Sequence, residues 1–505
     1  MARTTMLGLT LLIGLLAIAE NPVLPGDHPD PSIMRVGDVY WAANTSAEWA
    51  PIFPLFRSTD LKHWQPEGAV FENPPEWATA NFWAPELTND RGHIRVYYAA
   101  RKRGGPMCVG VASADAPQGP YTDHGPMVCQ SAGSIDPSFV RDERGVPYLI
   151  WKEDGNSQNK PTIIYAQETT DDGLKLIGTP HELIRNDVPW EGKVVEGPDI
   201  IRHGGMLYLF YAGGACCGRQ CDYAVGIARS KNLLGPWQKD PDNPIVKADS
   251  EWTCPGHGTA VESKSGQDYF IYHAYPRTEF TYIGREALLD RIDWKADGWP
   301  EIAGGHGPSG RSEPREAYSV EDNFAGPGLS AAWEWPIGER PDIHESNRLL
   351  MLAPDTAHAA DPLGAILAMS VPAFPLAAQV TLRTSALPRG VLAGIAMIGD
   401  RNNAAGLGVR NGQLEEWRRD NGKLQSLATA TRPGSDAIHL RVKSDETVSL
   451  RLEYSSDGKN WTELGKPVDV QSLPPWDRGL RVGVTCGGAV GAKAQFEDFD
   501  MRVGQ

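Results

Sequence analysis

Five short segments that share one plan recur along the first three hundred residues of this 505-residue chain. Each segment sets a proline or a glycine beside an acidic residue or a histidine, and the central residues 30, 86, 136, 196 and 257 are 56, 50, 60 and 61 positions apart. The segments are His28–Ser32, Trp83–Leu87, Ile135–Phe139, Val195–Asp199 and Pro255–Thr259. A repeat of this length predicts a series of similar supersecondary units that pack against one another.

A strand-forming stretch follows each segment after a turn that contains glycine. These stretches are dense in aromatic and β-branched residues, which favour β-strands. They are Val39–Trp41, Ile94–Tyr98, Tyr148–Trp151, Leu207–Tyr211 and Tyr269–Tyr272. Four-stranded units of about 57 residues, repeated five times from Glu20 to Ile302, predict an all-β fold, a five-bladed β-propeller.

The propeller topology predicts a shared pocket. The first strand of every blade lines the central axis, so Asp30, Glu86, Asp136, Glu196 and His257 are expected to converge at one end of the channel. The loops between second and third strands return to the same face and should form its rim. Any one segment alone could be a simple turn, because Asp, Pro, Ser and Gly start turns in many folds. Five segments at one spacing favour the pocket.

Carboxylates that face each other across a pocket have the chemistry needed to cleave a glycosidic bond. An acid protonates the leaving oxygen and, for inversion, a base activates water, with the two carboxyl groups about 6.5–9.5 Å apart. Asp30 and Glu196 lie nearly across the axis of a five-membered ring, and Asp136 lies in the blade next to Glu196. We expect the negative charge of Asp136 to raise the pKa of Glu196 and keep that acid protonated.

The order and residues of these motifs resemble glycoside hydrolase family 43, which includes β-xylosidases, α-L-arabinofuranosidases and arabinanases. The resemblance covers about residues 20 to 302. It implies an inverting, single-displacement enzyme acting on plant cell-wall pentosides, with Asp30 as general base, Asp136 as the residue that tunes and orients the acid, and Glu196 as general acid. The segments that carry it are Asn21–Ile33, Trp83–Glu86, Ile135–Ser138, Val195–Pro198, Gly256–Gly258 and Gly284–Glu286.

The same resemblance implies further site residues. Substrate contacts are expected from Trp83 by stacking, from Glu86, and from Arg285 through sugar hydroxyls; a core role for Trp83 and a structural turn at Arg285 are the alternatives. His257 matches an axial histidine that approaches a calcium ion through water, and a histidine hydrogen-bonded in the channel is the alternative. We expect no required cofactor, with a structural calcium ion near His257 as the metal to test. The implied substrates are fragments of xylan, arabinoxylan or arabinan.

A second domain follows the repeat. Residues 303–320 are polar, lack apolar periodicity and predict a linker. Alternating apolar and polar segments then recur at the spacing of a β-sandwich from residue 321 to residue 505. Some family 43 xylosidases look similar here, which implies a concanavalin-like jelly roll.

The N-terminus and the net charge bear on location and partners. Residues 1–19 combine Arg3, an apolar stretch and Ala17-Ile18-Ala19, which together predict a signal peptide; the apolar stretch is shorter than a membrane anchor needs. We expect a secreted or periplasmic protein with no membrane contact once processed. A formal charge of -16 without a long basic run argues against nucleic acid as a partner.

Seven cysteines in an exported chain predict disulfides. Cys254 and the loop of residues 213–222 should emerge on the pocket face in neighbouring blades, so we expect Cys254 to pair with one of three cysteines in that loop, Cys216, Cys217 or Cys221. We do not expect the adjacent Cys216 and Cys217 to pair with each other. Cys108 and Cys129 are the next expected pair.

Two other functions stay open on sequence alone. One is a catalytically silent propeller that binds sugar. The other is a retaining fructosyl hydrolase or transferase, which shares five blades and three acids but differs in the first segment, where an Asn-Asp-Pro-Asn-like sequence is expected in place of His28–Ser32.

Overall fold

The structure is a computed structural model that describes residues 21–278, 282–305, 307–310, 319–326, 328–445 and 449–504. The predicted signal peptide, residues 1–19, lies outside the described residues, as do residues 279–281 of the predicted rim loop 275–281 in the fifth blade and residues 311–318 of the predicted linker. Within the described ranges the helices are three short 3₁₀ turns at Gly155–Gln158, Pro189–Glu191 and Ala303–Gly305. The fold is therefore nearly all β.

The first part of the chain forms five sheets of four antiparallel strands, which confirms the five-bladed propeller. In chain order its strands are β1 (Ser32–Val36), β2 (Val39–Ala43), β3 (Trp49–Ala50), β4 (Ile52–Ser58), β5 (Gln65–Phe71), β6 (Ala78–Asp90), β7 (His93–Lys102), β8 (Met107–Ala114), β9 (Thr122–Val128), β10 (Ser134–Arg141), β11 (Pro147–Glu153), β12 (Ile163–Glu168), β13 (His181–Arg185), β14 (Val195–His203), β15 (Met206–Gly213), β16 (Ala224–Ser230), β17 (Gln238–Lys239), β18 (Trp252–Glu262), β19 (Asp268–Pro276), β20 (Glu286–Trp294) and β21 (Pro300–Ile302). All of them except β3 belong to the blades.

The second part is a two-sheet sandwich, as predicted, with one sheet of nine strands and one of six. Its strands are β22 (Ser319–Asp322), β23 (Trp335–Pro336), β24 (Asp342–Ser346), β25 (Leu349–Ala353), β26 (Ala365–Ser370), β27 (Leu376–Arg383), β28 (Leu392–Asp400), β29 (Asn403–Arg410), β30 (Gln413–Asp420), β31 (Lys423–Thr431), β32 (Ala437–Ser444), β33 (Ser449–Ser455), β34 (Thr462–Glu463), β35 (Val468–Asp469), β36 (Arg481–Gly487) and β37 (Ala494–Val503). All of these strands except β23 belong to the two sheets. A large apolar core lies between the sheets, with side chains that alternate inward along strands such as β26, β27 and β36.

Each blade has a residue in the left-handed region just before or within its inner strand. These residues are Asp30 (φ 52°), Ala84 (47°), Asp136 (54°), Gly197 (57°) and His257 (42°). In blades two to five the ladder between the inner strand and its neighbour shifts register at this point, as in a β-bulge. A bulge turns side chains out of the regular alternation, and non-glycine residues at positive φ are concentrated at functional sites. Each blade thus has a re-aimed position at the mouth of the channel, and β6 and β18 carry a further residue at positive φ, Asn81 (54°) and Cys254 (54°).

Several contacts join the two domains. Strand β3, in the loop after the second strand of the first blade, pairs with β23 of the sandwich, and Trp49 packs among sandwich residues. Beside them, the Asp27 carboxylate forms a buried ion pair with Arg481 of the sandwich, at 2.7 Å between Oδ2 and Nη1. The domains are therefore joined by strand pairing, apolar packing and a buried charge pair.

The disulfides match two predictions and contradict a third. Cys221 is bonded to Cys254, and Cys108 to Cys129, as expected. Cys216 and Cys217, which we expected not to pair with each other, form a disulfide between adjacent residues. The expectation failed because Cys221 takes Cys254, and the turn at Gly214–Asp222 then leaves the two remaining loop thiols with each other as partners. Cys486 is free and buried in the sandwich.

Candidate active site

A cavity of about 430 Å³ opens at the end of the channel where the inner strands begin. Six of the seven site residues predicted from the sequence line it: Asp30, Trp83, Asp136, Glu196, His257 and Arg285. The loops after the second strands of the third and fourth blades line the wall, as expected for a rim, and the fifth blade contributes Arg285, which follows the predicted rim loop of residues 275–281. The corresponding loops of the first two blades do not reach it, and the first is instead paired to the sandwich through β3.

Asp30 is held as an ionised carboxylate. Its Oδ1 lies 3.0 Å from Nη1 of Arg285, and its Oδ2 accepts a hydrogen bond of 2.7 Å from the hydroxyl of Thr45. Burial alone would raise the pKa of Asp30, but the charge of Arg285, together with the hydrogen bond to His273 and the nearby His257, outweighs burial and holds that pKa well below the ordinary range. The backbone N–H of Asp30 donates to Nδ1 of His273, whose pKa burial lowers to about 4. Asp30 is therefore ionised, which is the charge state that a general base needs.

Glu196 has two partners that the sequence analysis missed. Nζ of Lys152 lies 2.5 Å from Oε2 of Glu196 and 3.0 Å from Oδ1 of Asp154. The hydroxyl of Tyr223 donates to Oε1 of Glu196 at 2.8 Å. Lys152 is almost fully buried on β11, opposite Ile135 and one residue away from Asp136 in the ladder.

These partners shift the pKa of Glu196 in the direction opposite to the one expected. Burial raises the pKa of Glu196, but the charge and hydrogen bond of Lys152, with the hydrogen bond from Tyr223, outweigh burial and lower it. Burial instead raises the pKa of Asp136 to about 6, and the neighbouring charge of Glu196 adds to that rise. The prediction that Glu196 would have a raised pKa beside Asp136 is therefore wrong in its net result, because the buried cation Lys152, which no motif indicates, lies beside Glu196.

Asp136 is also linked to the segment of Glu196 through the backbone. Its Oδ2 accepts a hydrogen bond of 2.9 Å from the N–H of Gly197, the residue after Glu196. Gly197 has φ of 57°, and a Cβ atom there would lie 2.8 Å from the ring of His257. Only glycine fits this turn, which explains the Glu-Gly-Pro sequence in the fourth segment.

Glu86 lies outside the cavity, in contrast to the other predicted residues. The re-aimed position of the second blade is Ala84, so Glu86 is two residues deeper, level with Ser32 and Thr259. Its Oε2 accepts hydrogen bonds from the hydroxyls of those two residues, and burial together with Asp199 raises the pKa of Glu86 well above its ordinary value. The expected substrate contact therefore has no support in the geometry, because the second segment is shifted relative to the other four.

His257 lies between the two aspartates. Its Nδ1 is 3.6 Å from Oδ1 of Asp30 and 3.8 Å from Oδ2 of Asp136. In the part of the chain that the structure describes, no group of three or more His, Cys, Asp or Glu side chains is arranged to hold a metal ion. The residues present do not fit a calcium ion bound directly by side chains, and we derive no catalytic step through a metal.

Arg285 and the sandwich complete the pocket. Nη1 of Arg285 is engaged by Asp30, and Nη2 donates to the backbone carbonyl of Asp477 in the sandwich at 3.1 Å. Asp477 and Trp476 line the cavity beside the propeller residues, and Trp476 is 62% exposed. The half-buried Trp83 lines another part of the cavity. The pocket is thus built from both domains, which no motif in the second half of the sequence indicates.

The chemical groups of the site correspond to a known reaction type. An ionised carboxylate, a second carboxyl group with a coupled aspartate beside it, and aromatic surfaces surround one water-accessible pocket. Acid and base carboxyl groups around a pocket with sugar-stacking aromatics define the class of acid/base glycoside hydrolases.

Comparison with known families agrees with this class. The family model described as glycosyl hydrolases family 43 matches residues 19–300, and the model described as the beta xylosidase C-terminal concanavalin A-like domain matches residues 321–502. The chain belongs to glycosyl hydrolases family 43. Membership favours the first of the three functions considered from the sequence over the silent propeller and the fructosyl enzyme.

Relatives of this chain include enzymes named for two sugars. A xylan 1,3-beta-xylosidase from Vibrio sp is 30% identical over 362 residues, which cover 64% of this chain and 66% of that protein. A non-reducing end alpha-L-arabinofuranosidase from Bacteroides ovatus is 27% identical over 326 residues, covering 58% of this chain and 56% of that protein. The chain spans about 56 to 66% of the length of the first three curated relatives it matches.

Solved structures share the fold over both domains. The xylan beta-1,4-xylosidase from Bacillus halodurans C-125 superposes with a TM-score of 0.80 at 23% identity, covering 96% of this chain and 99% of that chain. A family 43 protein from Bacillus licheniformis gives a TM-score of 0.81, also at 23% identity, over 96% of this chain and 99% of that chain. The propeller and the sandwich therefore form a recurring two-domain architecture.

Proposed function

We propose that this protein is an inverting glycoside hydrolase that releases a terminal pentose, xylose or arabinose, from fragments of xylan, arabinoxylan or arabinan. The observation that carries the proposal is the contrast between Asp30, ionised beside Arg285, and Asp136, whose pKa burial beside Glu196 raises to about 6. Two carboxyl groups whose environments push their pKa values apart are the signature of an acid and a base in one site. The names of the relatives support the choice of sugars.

In the proposed reaction Asp30 acts on water. Its two oxygens are held by Arg285 and Thr45, and each keeps a second lone pair for a proton of the attacking water. The water oxygen bonds to the anomeric carbon, and the water proton passes to Asp30. Because Arg285 holds the pKa of Asp30 low, the charged form persists into acidic solution.

Glu196 acts on the leaving group. The glycosidic oxygen takes a proton from Glu196 as its bond to the anomeric carbon breaks, and the second sugar leaves as an alcohol. Asp136 and Glu196 titrate as a pair that shares one proton. Asp136 holds this proton while Glu196 is ionised beside Lys152. Lys152 also contacts Asp154, which offers the cation a second partner when Glu196 takes up the proton.

A pocket walled by loops from three blades and by the sandwich suits the end of a sugar chain better than its middle. The test is a panel of nitrophenyl pentosides and arabinose- or xylose-containing polysaccharides, with products identified and the first anomer read by proton NMR. We expect monosaccharide as the first product, with the anomeric configuration opposite to that of the substrate. A retained configuration contradicts single displacement, and early release of long oligosaccharides contradicts terminal attack.

We also propose that the protein is exported to an oxidising compartment, secreted or periplasmic. Three disulfides support this location, because such bonds persist outside reducing compartments. A relative at 25% identity, from Cellvibrio japonicus, is named as extracellular. Among the described residues, none of the helices has the length and apolar character to cross a membrane. Fractionation of cells, with mass spectrometry of the mature N-terminus, tests the proposal; a cytoplasmic protein with unprocessed residues 1–19 contradicts it.

A further inference from the structure

The disulfide between the adjacent residues Cys216 and Cys217 has no part in the mechanism above, yet it lines the cavity together with Glu196. Both cysteines are half-buried, so part of each side chain faces the pocket. The bond closes within two residues of chain and therefore ties no distant segments together. Its position in the pocket wall points to a role in binding.

The loop that carries this disulfide is fixed at several points. The Cys221–Cys254 bridge joins it to the inner strand of the fifth blade, and Oδ1 of Asp222 accepts a hydrogen bond of 2.6 Å from the N–H of Ala215 across the turn. At its outer edge, Arg219 donates to the backbone carbonyl of Gln471 in the sandwich at 3.0 Å. Cys216 and Cys217 thus lie on a preformed surface that binding does not have to order.

The disulfide lies on the side of the pocket that contains Glu196, the proposed acid. The loop continues strand β15, and in the ladder between β14 and β15 the residue opposite Glu196 is Ala212. The chain therefore runs from the partner of Glu196 through Gly213 and Gly214 to Cys216. Asp30, the proposed base, belongs to the first blade and is bound to Arg285 at the end of the fifth-blade loop. Since the acid protonates the leaving oxygen, a wall beside the acid borders the leaving group.

The chemistry of a disulfide suits this position. Its two sulfur atoms are polarizable, lack N–H or O–H donors and form an apolar patch, in a pocket otherwise rich in carboxylates such as Asp154 and Asp477. The C–H face of a sugar ring packs on apolar surfaces of this kind, as it does on aromatic rings. Two free thiols or two alanines would leave the patch smaller and broken.

We propose that the Cys216–Cys217 disulfide is the apolar wall of the leaving-group subsite and packs against the sugar ring that is released when the bond to the terminal pentose breaks. This inference rests on the proposed function, because it uses Glu196 as the acid to define the leaving-group side. It identifies Cys216 and Cys217 as residues that determine which aglycone sugars are accepted.

The test compares substrates that have a ring in the leaving group with one that has none. In the Cys216→Ala/Cys217→Ala variant we expect kcat/KM for β-1,4-xylobiose to fall about tenfold, in the range measured for stacking pairs, while kcat/KM for β-xylosyl fluoride changes less than twofold. For an arabinose-releasing enzyme the pair is α-1,5-arabinobiose and α-L-arabinofuranosyl fluoride. Cys108→Ala/Cys129→Ala, which removes a disulfide outside the cavity, is the matched control and should show no such selectivity.

The outcomes separate the two proposals. An equal loss on disaccharide and fluoride, or no loss on either, overturns the role of the disulfide while leaving the hydrolase intact. A wild-type protein that cleaves neither pair of substrates overturns the proposed function instead.

A measurement without cysteine substitutions covers the case in which the double variant fails to fold. In Glu196→Ala, which holds the disaccharide uncleaved, a water-soluble phosphine should reduce Cys216–Cys217 at least fivefold more slowly with saturating xylobiose than with xylose, or with arabinobiose than with arabinose. Alkylation and peptide mass spectrometry give the rate for each bridge. Equal rates with disaccharide and monosaccharide overturn the proposal.

Discussion

Nζ of Lys152 lies 2.5 Å from Oε2 of Glu196, in a place where both groups are buried. Burial opposes the charge on each group, yet the pKa of Lys152 is raised and that of Glu196 is lowered, because each ion stabilises the other. The proposed acid, Glu196, is therefore paired with a cation, and its proton affinity depends on the opposing charges of Lys152 and Asp136.

Replacing Lys152 should shift the pH profile. The alkaline limb of kcat/KM reports loss of the acid's proton in the free enzyme. Lys152→Met removes the positive charge that favours ionised Glu196, so its pKa rises, the proton is kept to higher pH, and the limb moves up by about one unit or more. Asp136→Asn removes a negative charge from the same pair and should move the limb down.

The two variants control each other, since they change opposite charges beside one carboxyl group. Stopped assays from pH 4 to pH 9 on one substrate give the alkaline limb for the wild-type protein and for each variant. Shifts in the same direction, or an unmoved alkaline limb in both variants, would show that the limb belongs to another group.

The repeat made the carboxylates predictable. Asp30, Asp136 and Glu196 belong to turn-like segments whose spacing fixes their blade and whose place at the start of an inner strand fixes their end of the channel. Glu86 shows the limit of that argument, because a shift of two residues within the second segment moves its side chain below the pocket.

Lys152 and Tyr223 could not be found in the same way. Both residues adjoin runs of strand residues that look like ordinary core. The contact of Lys152 with Glu196 depends on the register of β10 with β11, and the contact of Tyr223 with Glu196 depends on the path of the loop before β16. A signal for Tyr223 does exist at Gly256, where a Cβ atom would lie 2.1 Å from the tyrosine ring. The need for glycine at this position can be recognised only when the fifth blade is already known to pack beside the fourth.

Asp30 and Glu196 should respond differently to the leaving group. Loss of general acid or base assistance costs about 10²–10⁴-fold in turnover. Asp30→Ala should lower turnover by that amount for every substrate, because every substrate needs activated water. Glu196→Ala should lower it strongly for sugar leaving groups and weakly for dinitrophenol, which leaves without a proton. Rates on a series of aryl glycosides, with circular dichroism as the folding control, measure both; a parallel loss in the two variants would contradict the assigned roles.

Calcium near His257 stays a prediction that a stability measurement can check. A calcium ion that contacts His257 only through water needs no set of direct side-chain ligands. Because it would bind the folded state, it would raise the free energy of unfolding. We expect the melting temperature to fall on treatment with a chelator and to recover with added calcium, and we expect His257→Ala to abolish that difference. An identical melting temperature with and without chelator in the wild-type protein would remove calcium from this site.

The Asp27–Arg481 pair should contribute measurably to stability. Both side chains are about 3% exposed, and Asp27 also accepts hydrogen bonds from the N–H groups of Gly479 and Arg285. Asp27→Ala leaves a buried arginine with one carboxylate fewer, an effect that costs about 3–5 kcal/mol when a buried pair is broken. Glu262→Ala, which removes an exposed partner of Arg35 at 3.8 Å, is the control and should cost under about 1 kcal/mol. Equal denaturant midpoints for the two variants would contradict the role of Asp27.

Trp476 should affect substrate binding without affecting the fold. Its side chain is 62% exposed and lines the cavity from the sandwich domain, so little buried area is lost on truncation, whereas a sugar that enters the pocket loses an aromatic wall. An aromatic contact of this kind contributes about 0.5–1.5 kcal/mol, which corresponds to a rise in KM of about two- to tenfold for Trp476→Ala with the melting temperature unchanged. Leu427→Ala, at a comparably exposed apolar residue of the same domain outside the cavity, should leave both quantities at wild-type values. If Trp476→Ala keeps the wild-type KM on oligosaccharides, the sandwich closes the pocket without touching the substrate.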